Sequence, residues 1–374
     1  MRFCDIPGFE DEKQALIQSV KSGHIPHARL FAGNQGAPSL PMALAFITYV
    51  NCENPGDRDA CGTCAACVKN EKFIHPDVHF VFPVSAVKNI TGKDVISRSF
   101  IDDWRTFLKK NPFGNIEDWA NIFGGENKQL NISKEESRQI IRNLSLKSFE
   151  GKYKILLIWL PEFMHPNAAN GILKILEEPT ENTLFILVSD DKERIIGTIL
   201  SRNQFYYIRK FSSQEIKSAL TSIHHIEETQ ADRLAFLANG DYNEAVKLSG
   251  KVTNNTHEMF REWMRACFKK NLAQLVSFAE DFQTLNKVEQ KSFMEYTLNI
   301  MRESLINITN NSNLKRIDGE DALFVENFSK VLTPKMIEGI TREINQGYYY
   351  LERNANPKIL FLDISLTIVG LIRK

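Results

Sequence analysis

Four cysteines carry the densest chemistry in the sequence. Cys52, Cys61, Cys64 and Cys67 follow the spacing C-x8-C-x2-C-x2-C, so four thiols fall within 16 residues. Two overlapping C-x2-C steps put three thiolates on one tight turn, and the longer step lets the fourth close a tetrahedron. Four sulfur ligands leave no open coordination position, which makes this a structural zinc site and not a catalytic one. A disulfide framework belongs to short secreted chains, whereas this chain has 374 residues. His75 and His79 follow at H-x3-H, a spacing that suggests a finger built on two cysteines and two histidines. Only seven residues separate Cys67 from His75, too few for that finger, and Val78, Phe80 and Val81 around His79 predict a strand instead. Cys4 and Cys267 are expected to be unliganded thiols. Among eight scattered histidines no Ser/His/Asp or Cys/His pairing stands out, so hydrolytic catalysis is a poor fit.

The second candidate is a glycine-rich stretch, Gly33-Asn34-Gln35-Gly36-Ala37-Pro38-Ser39-Leu40. It lies between a short strand predicted over residues 27–32 and an apolar helix predicted to run through Val50. Strand, glycine turn and helix N-terminus in that order form the usual cradle for phosphates. A working cradle ends in Gly, Lys and Ser or Thr, for close backbone approach, charge neutralisation and magnesium ligation. Pro38, Ser39 and Leu40 stand in those places, and the proline also removes an amide donor. Taken alone, Gly33 and Gly36 make an ordinary strand-to-helix turn. Gly92-Lys93 and Gly151-Lys152 are not alternatives, because each lacks the upstream glycine and the following hydroxyl.

The elements that must position these residues are clearest in residues 153–204. An apolar run, Lys154–Trp159, predicts a buried strand. A helix over 167–176 stopped by Pro179, a second buried strand over 183–188, and a short polar helix ending at Ser201-Arg202 follow it. Strand, helix, strand is a parallel crossover unit. Asn170-Gly171-Ile172-Leu173-Lys174-Ile175-Leu176-Glu177-Glu178-Pro179 and Ile199-Leu200-Ser201-Arg202 resemble the AAA+ module of the bacterial DNA polymerase III clamp-loader family.

The resemblance implies an α/β AAA+ module, a parallel sheet with flanking helices and an inserted zinc module, followed by a helical lid and an all-α collar. It implies that Gly33, Gly36, Pro38, Ser39 and Leu40 are a degenerate phosphate loop. Counting back from Glu177-Glu178-Pro179, the two acids that hold magnesium and orient water in an active member are replaced by Trp159 and Leu160. A nucleotide-sensing arginine in the pattern G-x-x-R-x-A is replaced by Asn243 within Gly240-Asp241-Tyr242-Asn243-Glu244-Ala245. ATP is therefore not expected to bind. Arg202, with Ser201 before it, matches the family's finger that acts in trans on a neighbour's nucleotide; Asn203 stands where members usually have cysteine. This asymmetry implies the family's non-hydrolysing, delta-prime type of subunit. The implied partners are motor subunits of the gamma/tau type and a delta subunit in a hetero-pentamer, with the sliding clamp and primed DNA reached through the complex. A cysteine module at this point in the chain is also a family feature.

Composition is compatible with this. Lys+Arg and Asp+Glu are both 46, giving a formal charge of zero, and the basic excess of a free-standing nucleic-acid binder is missing. Hydrophobic content of 43% and charged content of 25% are ordinary for a globular protein. No apolar run reaches a membrane span and residues 1–9 are too polar for a secretory signal, so a cytoplasmic location and no membrane partner are expected. The expected domains are 1–210, containing the zinc module 52–67 and an insertion 85–135, then a lid at 211–250 and a collar at 251–374. In the insertion, Trp104, Phe107, Phe113, Trp119 and Phe123 with Lys109-Lys110 allow base stacking on nucleic acid, but a helical hairpin packed on the parent domain is the simpler reading. Ser133 and Glu136 predict a capping box opening a helix over 133–146. Two alternatives stand beside the main one: an ATP-hydrolysing motor subunit, or a zinc-dependent nucleic-acid-binding protein.

Overall fold

The computed structural model describes residues 1–126, 128–145, 148–249, 255–309 and 320–372. The last residue of the helix expected over 133–146 and the first four residues of the expected collar lie outside them. By packing, the chain divides into two units: Met1–Ala219 with Gly240–Glu244, and Leu220–Asn239 with Ala245–Lys374.

The first unit is built on five strands, β1 (Ala28–Ala32), β2 (Val78–Val81), β3 (Lys154–Trp159), β4 (Thr183–Ser189) and β5 (Gln204–Tyr207). Their order is β2-β3-β4-β1-β5 and every neighbouring pair is parallel. The register sets Leu30 against Leu187 and Phe205, and Leu157 against Ile186 and Phe80. Strands β1, β3 and β4 are buried along their whole length, which is why their sequences are continuous apolar runs and not alternations. The edge strand β5 is mostly exposed, with Phe205 and Tyr207 turned to solvent.

One face of the sheet packs Leu30, Ile158 and Leu187 against Ala168, Ala169, Ile172 and Leu176 of the helix Pro166–Glu177. That helix starts with proline at its first position. The His165 ring caps it by accepting from the Asn167 amide at 3.2 Å, and it stops just before Pro179. Helix Lys134–Ser145 packs beside it through Ile140 and Leu144. The capping box expected at its start is replaced by other bonds. Glu136 is buried and its carboxylate accepts from the Ser97 amide at 2.6 Å, while the Ser133 hydroxyl donates to the Val95 carbonyl at 3.5 Å. Glu136 thereby fastens the insertion to the helix that follows it, and Ser133 closes a bond within the insertion instead of capping a helix.

The insertion itself is a helical hairpin, Ile101–Lys110 and Ile116–Phe123. Asn115 and Asp118 form a reciprocal capping box at the start of the second helix. Trp104, Phe107, Trp119 and Phe123 are buried, Trp104 stacks on Phe82 at 4.3 Å between ring centres, and the Trp119 indole donates to the Pro83 carbonyl at 2.7 Å. These aromatics are core, not stacking platforms.

The second unit is helical: Glu228–Leu237, Asn255–Lys269, Leu272–Thr284, Lys287–Ile308, Glu320–Ser329, Pro334–Glu352 and Pro357–Ile372. Its core joins Phe260, Trp263, Met264 and Cys267 to Phe293, Tyr296, Ile300 and Met301. The Trp263 indole donates to Ser365 Oγ at 2.9 Å, and Phe282 stacks on Phe361 at 4.3 Å. Leu305 of the same helix is 39% exposed, while Ile308 beyond it packs against the core again.

Candidate nucleotide cleft and metal site

The phosphate-loop position lies after β1, at the carboxyl ends of the strands, where α/β sheets of this kind bind ligands. Three of its amide donors are already engaged. Gly33 donates to the Ser189 carbonyl at 3.1 Å, Ala37 to Asn34 at 2.9 Å and Ser39 to Ala37 at 2.8 Å, while Pro38 has no amide hydrogen. Gly36 holds φ at +90°, and a side chain there would meet Asp241, whose Cβ lies 2.7 Å from the point a Cβ would occupy. Ser39 is 1% exposed and its hydroxyl has no hydrogen-bond partner among the described residues; Leu40 is buried beside it.

At the end of β3, Trp159 is buried with its ring 5.1 Å from Trp104 and 5.6 Å from Phe107. Leu160 is 1% exposed, adopts φ +54°, and donates to the Val188 carbonyl at 2.7 Å. Neither offers an oxygen to a cation. Two acids that the sequence reading passed over stand close by. Glu162, the first acid after β3, accepts from the amides of Asp190 and Asp191 at 3.0 and 3.2 Å, and burial raises its carboxyl above the usual range. Asp190, the first residue after β4, is pushed up to about 7 by desolvation, with Glu162 and Asp241 adding to the effect. The sequence signal available was position alone, an acid within three residues of the end of each of these strands. Both residues line a cavity of about 450 Å³ together with Asn34, Gln35, Arg194 and Tyr207.

Asn243 is tied to the insertion. Its amide nitrogen donates to Asp118 Oδ2 at 2.8 Å, and its oxygen accepts from Asn111 at 2.6 Å. The neighbouring Tyr242 packs edge-on against Phe113 at 4.9 Å.

Arg202 lies in the turn between helix Gly197–Leu200 and β5. Its side chain is 30% exposed. It donates from Nε to Glu177 Oε1 at 2.6 Å, pairs with the same carboxylate through Nη2, and donates to the Thr198 carbonyl at 2.7 Å. Glu177 is itself 46% exposed, so the pair is a surface one. Ser201 Oγ accepts from Arg202 at 3.2 Å and donates to the Thr198 carbonyl at the same distance. Asn203, in the next position, turns inward and donates to the Ile199 carbonyl at 2.7 Å.

The ligand atoms of Cys52, Cys61, Cys64 and Cys67 all lie within 4.8 Å of one another. Cys61 and Cys67 sulfurs are 3.9 Å apart, close to the roughly 3.8 Å edge of a tetrahedron with 2.3 Å zinc–sulfur bonds. Three amides point at sulfur: Cys61 to Cys52 and Cys64 to Cys61, both at 3.3 Å, and Cys67 to Cys64 at 3.4 Å. Such donors favour thiolates, and amides from Thr63 and Cys64 bring Cys61 down to about 6. The four residues fit a metal ion. Cys4 is exposed, and Cys267 is buried in the helical unit, where desolvation pushes its thiol up to about 12. His79 lies in β2 as expected, and the His75 ring accepts from the Asp77 amide at 3.2 Å.

A parallel sheet with its loop after β1 turned in on itself, an arginine presented on the surface after β4 and a four-thiol cluster together define an α/β module of nucleotide-binding design. The chain belongs to the DNA polymerase III delta subunit family, whose model matches residues 9–212. It is 27% identical over 237 residues to DNA polymerase III subunit delta' of Bacillus subtilis, covering 63% of this chain and 57% of that protein. It is 26% identical over 252 residues to subunit tau of B. subtilis, covering 66% of this chain and 37% of tau, and 25% identical over 255 residues to Escherichia coli tau, covering 67% and 33%. The match thus spans about a third of the tau relatives. Among solved structures, a gamma subunit-related protein of Thermotoga maritima aligns over 97% of this chain and 100% of its own at 15% identity and a TM-score of 0.39. The B. subtilis clamp loader delta protein aligns over 96% and 99% at 10% identity and a TM-score of 0.33. Among the described residues no helix is long and apolar enough to cross a membrane.

Proposed function

We propose that this chain is the non-hydrolysing, delta-prime-type subunit of a DNA polymerase III clamp loader, and that it supplies Arg202 in trans to the ATP site of a neighbouring motor subunit. The observation that carries this is the contrast between its own cleft and its surface. Trp159 and Leu160 fill the place of the catalytic acids with buried hydrocarbon, so the chain has no means there to hold magnesium or orient water. Arg202 stands outside, on a turn, within reach of another protein. Sequence likeness to tau and to delta' is nearly equal, so the choice between motor and wall rests on these residues.

In the assembled complex, Arg202 leaves Glu177 for a neighbour's phosphates and stabilises the charge that develops during transfer. The planar guanidinium suits that role because two parallel donors match two phosphate oxygens. The subunit acts as a rigid wall of a hetero-pentamer with gamma/tau-type motor subunits and a delta subunit, beside which the sliding clamp is opened and placed on primed DNA. Zinc held by Cys52, Cys61, Cys64 and Cys67 cross-links the 52–67 loop and takes no part in chemistry.

The test is reconstitution with motor and delta subunits, clamp and primed DNA, comparing ATP turnover and clamp loading for wild type and Arg202→Ala. A loss of at least tenfold with assembly intact supports the finger. Unchanged turnover reduces Arg202 to a surface residue, and hydrolysis by the chain alone overturns the wall.

A further inference from the structure

We infer that the inserted hairpin is a permanent, covalently tethered clasp beside the nucleotide cleft, bridging the carboxyl ends of the sheet to segment 240–244 while the cavity of about 450 Å³ next to Asn34 and Gln35 stays open. This rests on the reading that the chain does not use ATP, and it goes further by naming what holds the cleft together in its absence.

Three sets of contacts from one hairpin reach both sides. On the sheet side, Trp104 and Phe107 close over Trp159, the residue in the magnesium-binding place. In the turn between the helices, Phe113 packs on Tyr242 at 4.9 Å and on Phe211 at 6.2 Å. On the polar side, Asn243 is held between Asn111 and Asp118. The Asp118 oxygen that receives Asn243 also accepts from the Asn115 amide at 3.1 Å, so the capping box that starts the second helix orients the acceptor. The circuit is completed at Gly36, against which Asp241 lies. A line of contacts therefore runs from β3 through the hairpin to 240–244 and back to the loop after β1.

A free nucleotide leaves such a site when its concentration falls. A hairpin tethered to β2 at one end and to β3 at the other stays at high effective concentration. Segment 240–244 is thereby held to the sheet whatever the ATP level, which is what a wall of constant shape requires.

The test is amide hydrogen exchange on the full chain alone, without nucleotide or partners, for wild type, Phe113→Ala and Asn243→Ala. Exchange in 240–244 and in 34–37 should rise at least tenfold in both variants, with amides of β3 and β4 unchanged. Unchanged exchange in both segments in both variants would overturn the inference. Where Phe113→Ala does not fold, Asn111→Ala removes one hydrogen bond from a partly exposed side chain and gives the same readout. Failure here leaves the Arg202 turnover experiment untouched, and a silent Arg202→Ala leaves the exchange result untouched.

Discussion

Arg202 and Asp190 are single residues whose chemistry makes separate predictions. If Arg202 contacts a neighbour's phosphates through its fork, Arg202→Lys keeps the charge but loses paired donation. Turnover in the reconstituted complex should then fall close to the alanine level, and full activity with lysine would show that charge alone suffices. Asp190 predicts a pH dependence. Its carboxyl sits near 7 in the folded chain against an ordinary value of 3.8. Between those values the folded state holds a proton that the unfolded state has lost, so stability falls as pH rises from about 4 to 7 and stays low above. Asp190→Asn should melt higher than wild type at pH 8, with the gain vanishing near pH 4; an equal gain at both would place its cause outside the titration. That Trp159 and Leu160, which carry no carboxylate, stand at the end of β3 is read by counting back from Glu177-Glu178-Pro179. Asp190 was not legible, because its shift comes first from burial in the folded chain, with Glu162 and Asp241, distant in sequence, adding to it.

Elements fold here for reasons that differ in how far the sequence exposes them. Strand β3 was legible to the residue, since Lys154–Trp159 is an apolar run bounded by polar and proline neighbours. Gly23 adopts φ +72° just beyond the last turn of helix Glu10–Lys21, a left-handed position that glycine takes without strain. Glu136 was misread because a local spacing rule competes with tertiary contact, and the buried Ser97 amide won its carboxylate. The cysteine module was legible from spacing, since thiols two residues apart on a turn have few other uses. If the four thiols hold zinc, metal binding and folding of the 52–67 loop are coupled. A strong chelator, or Cys64→Ser, should release zinc and make the 52–73 region proteolytically sensitive while β1, β3 and β4 stay protected. Retention of protection without metal would refute the coupling. The hairpin gives a further test. Trp104 is fully buried among Phe82, Phe107, Trp119 and Trp159, so Trp104→Ala should destabilise the first unit by about 3–5 kcal/mol in denaturant unfolding.

At the scale of the whole chain, the same observations bear on what ATP can do. A protein that binds a ligand only when folded is stabilised by roughly 2.7 kcal/mol at one hundred times the dissociation constant. An active module with a micromolar site would gain about 4 kcal/mol in millimolar Mg-ATP, which a melting curve resolves. This chain should gain nothing, for three reasons of different kind: Gly33, Ala37 and Ser39 of the loop already donate to carbonyls and Pro38 has no amide hydrogen, no side-chain oxygen stands at 159 or 160, and Asn243 is held by Asn111 and Asp118. The first could be reversed by a small backbone movement, but the second cannot, and the third opposes entry by occupying segment 240–244. Pro38→Gly with Ser39→Lys and Leu40→Thr restores the loop's residue types while leaving the hairpin in place. That triple variant should still show no ATP-dependent rise in Tm, because the adjoining position remains filled by Trp104, Phe107 and Trp159. A rise of several degrees in the variant, absent in wild type, would mean that the loop sequence alone keeps ATP out and that the hairpin is only packing.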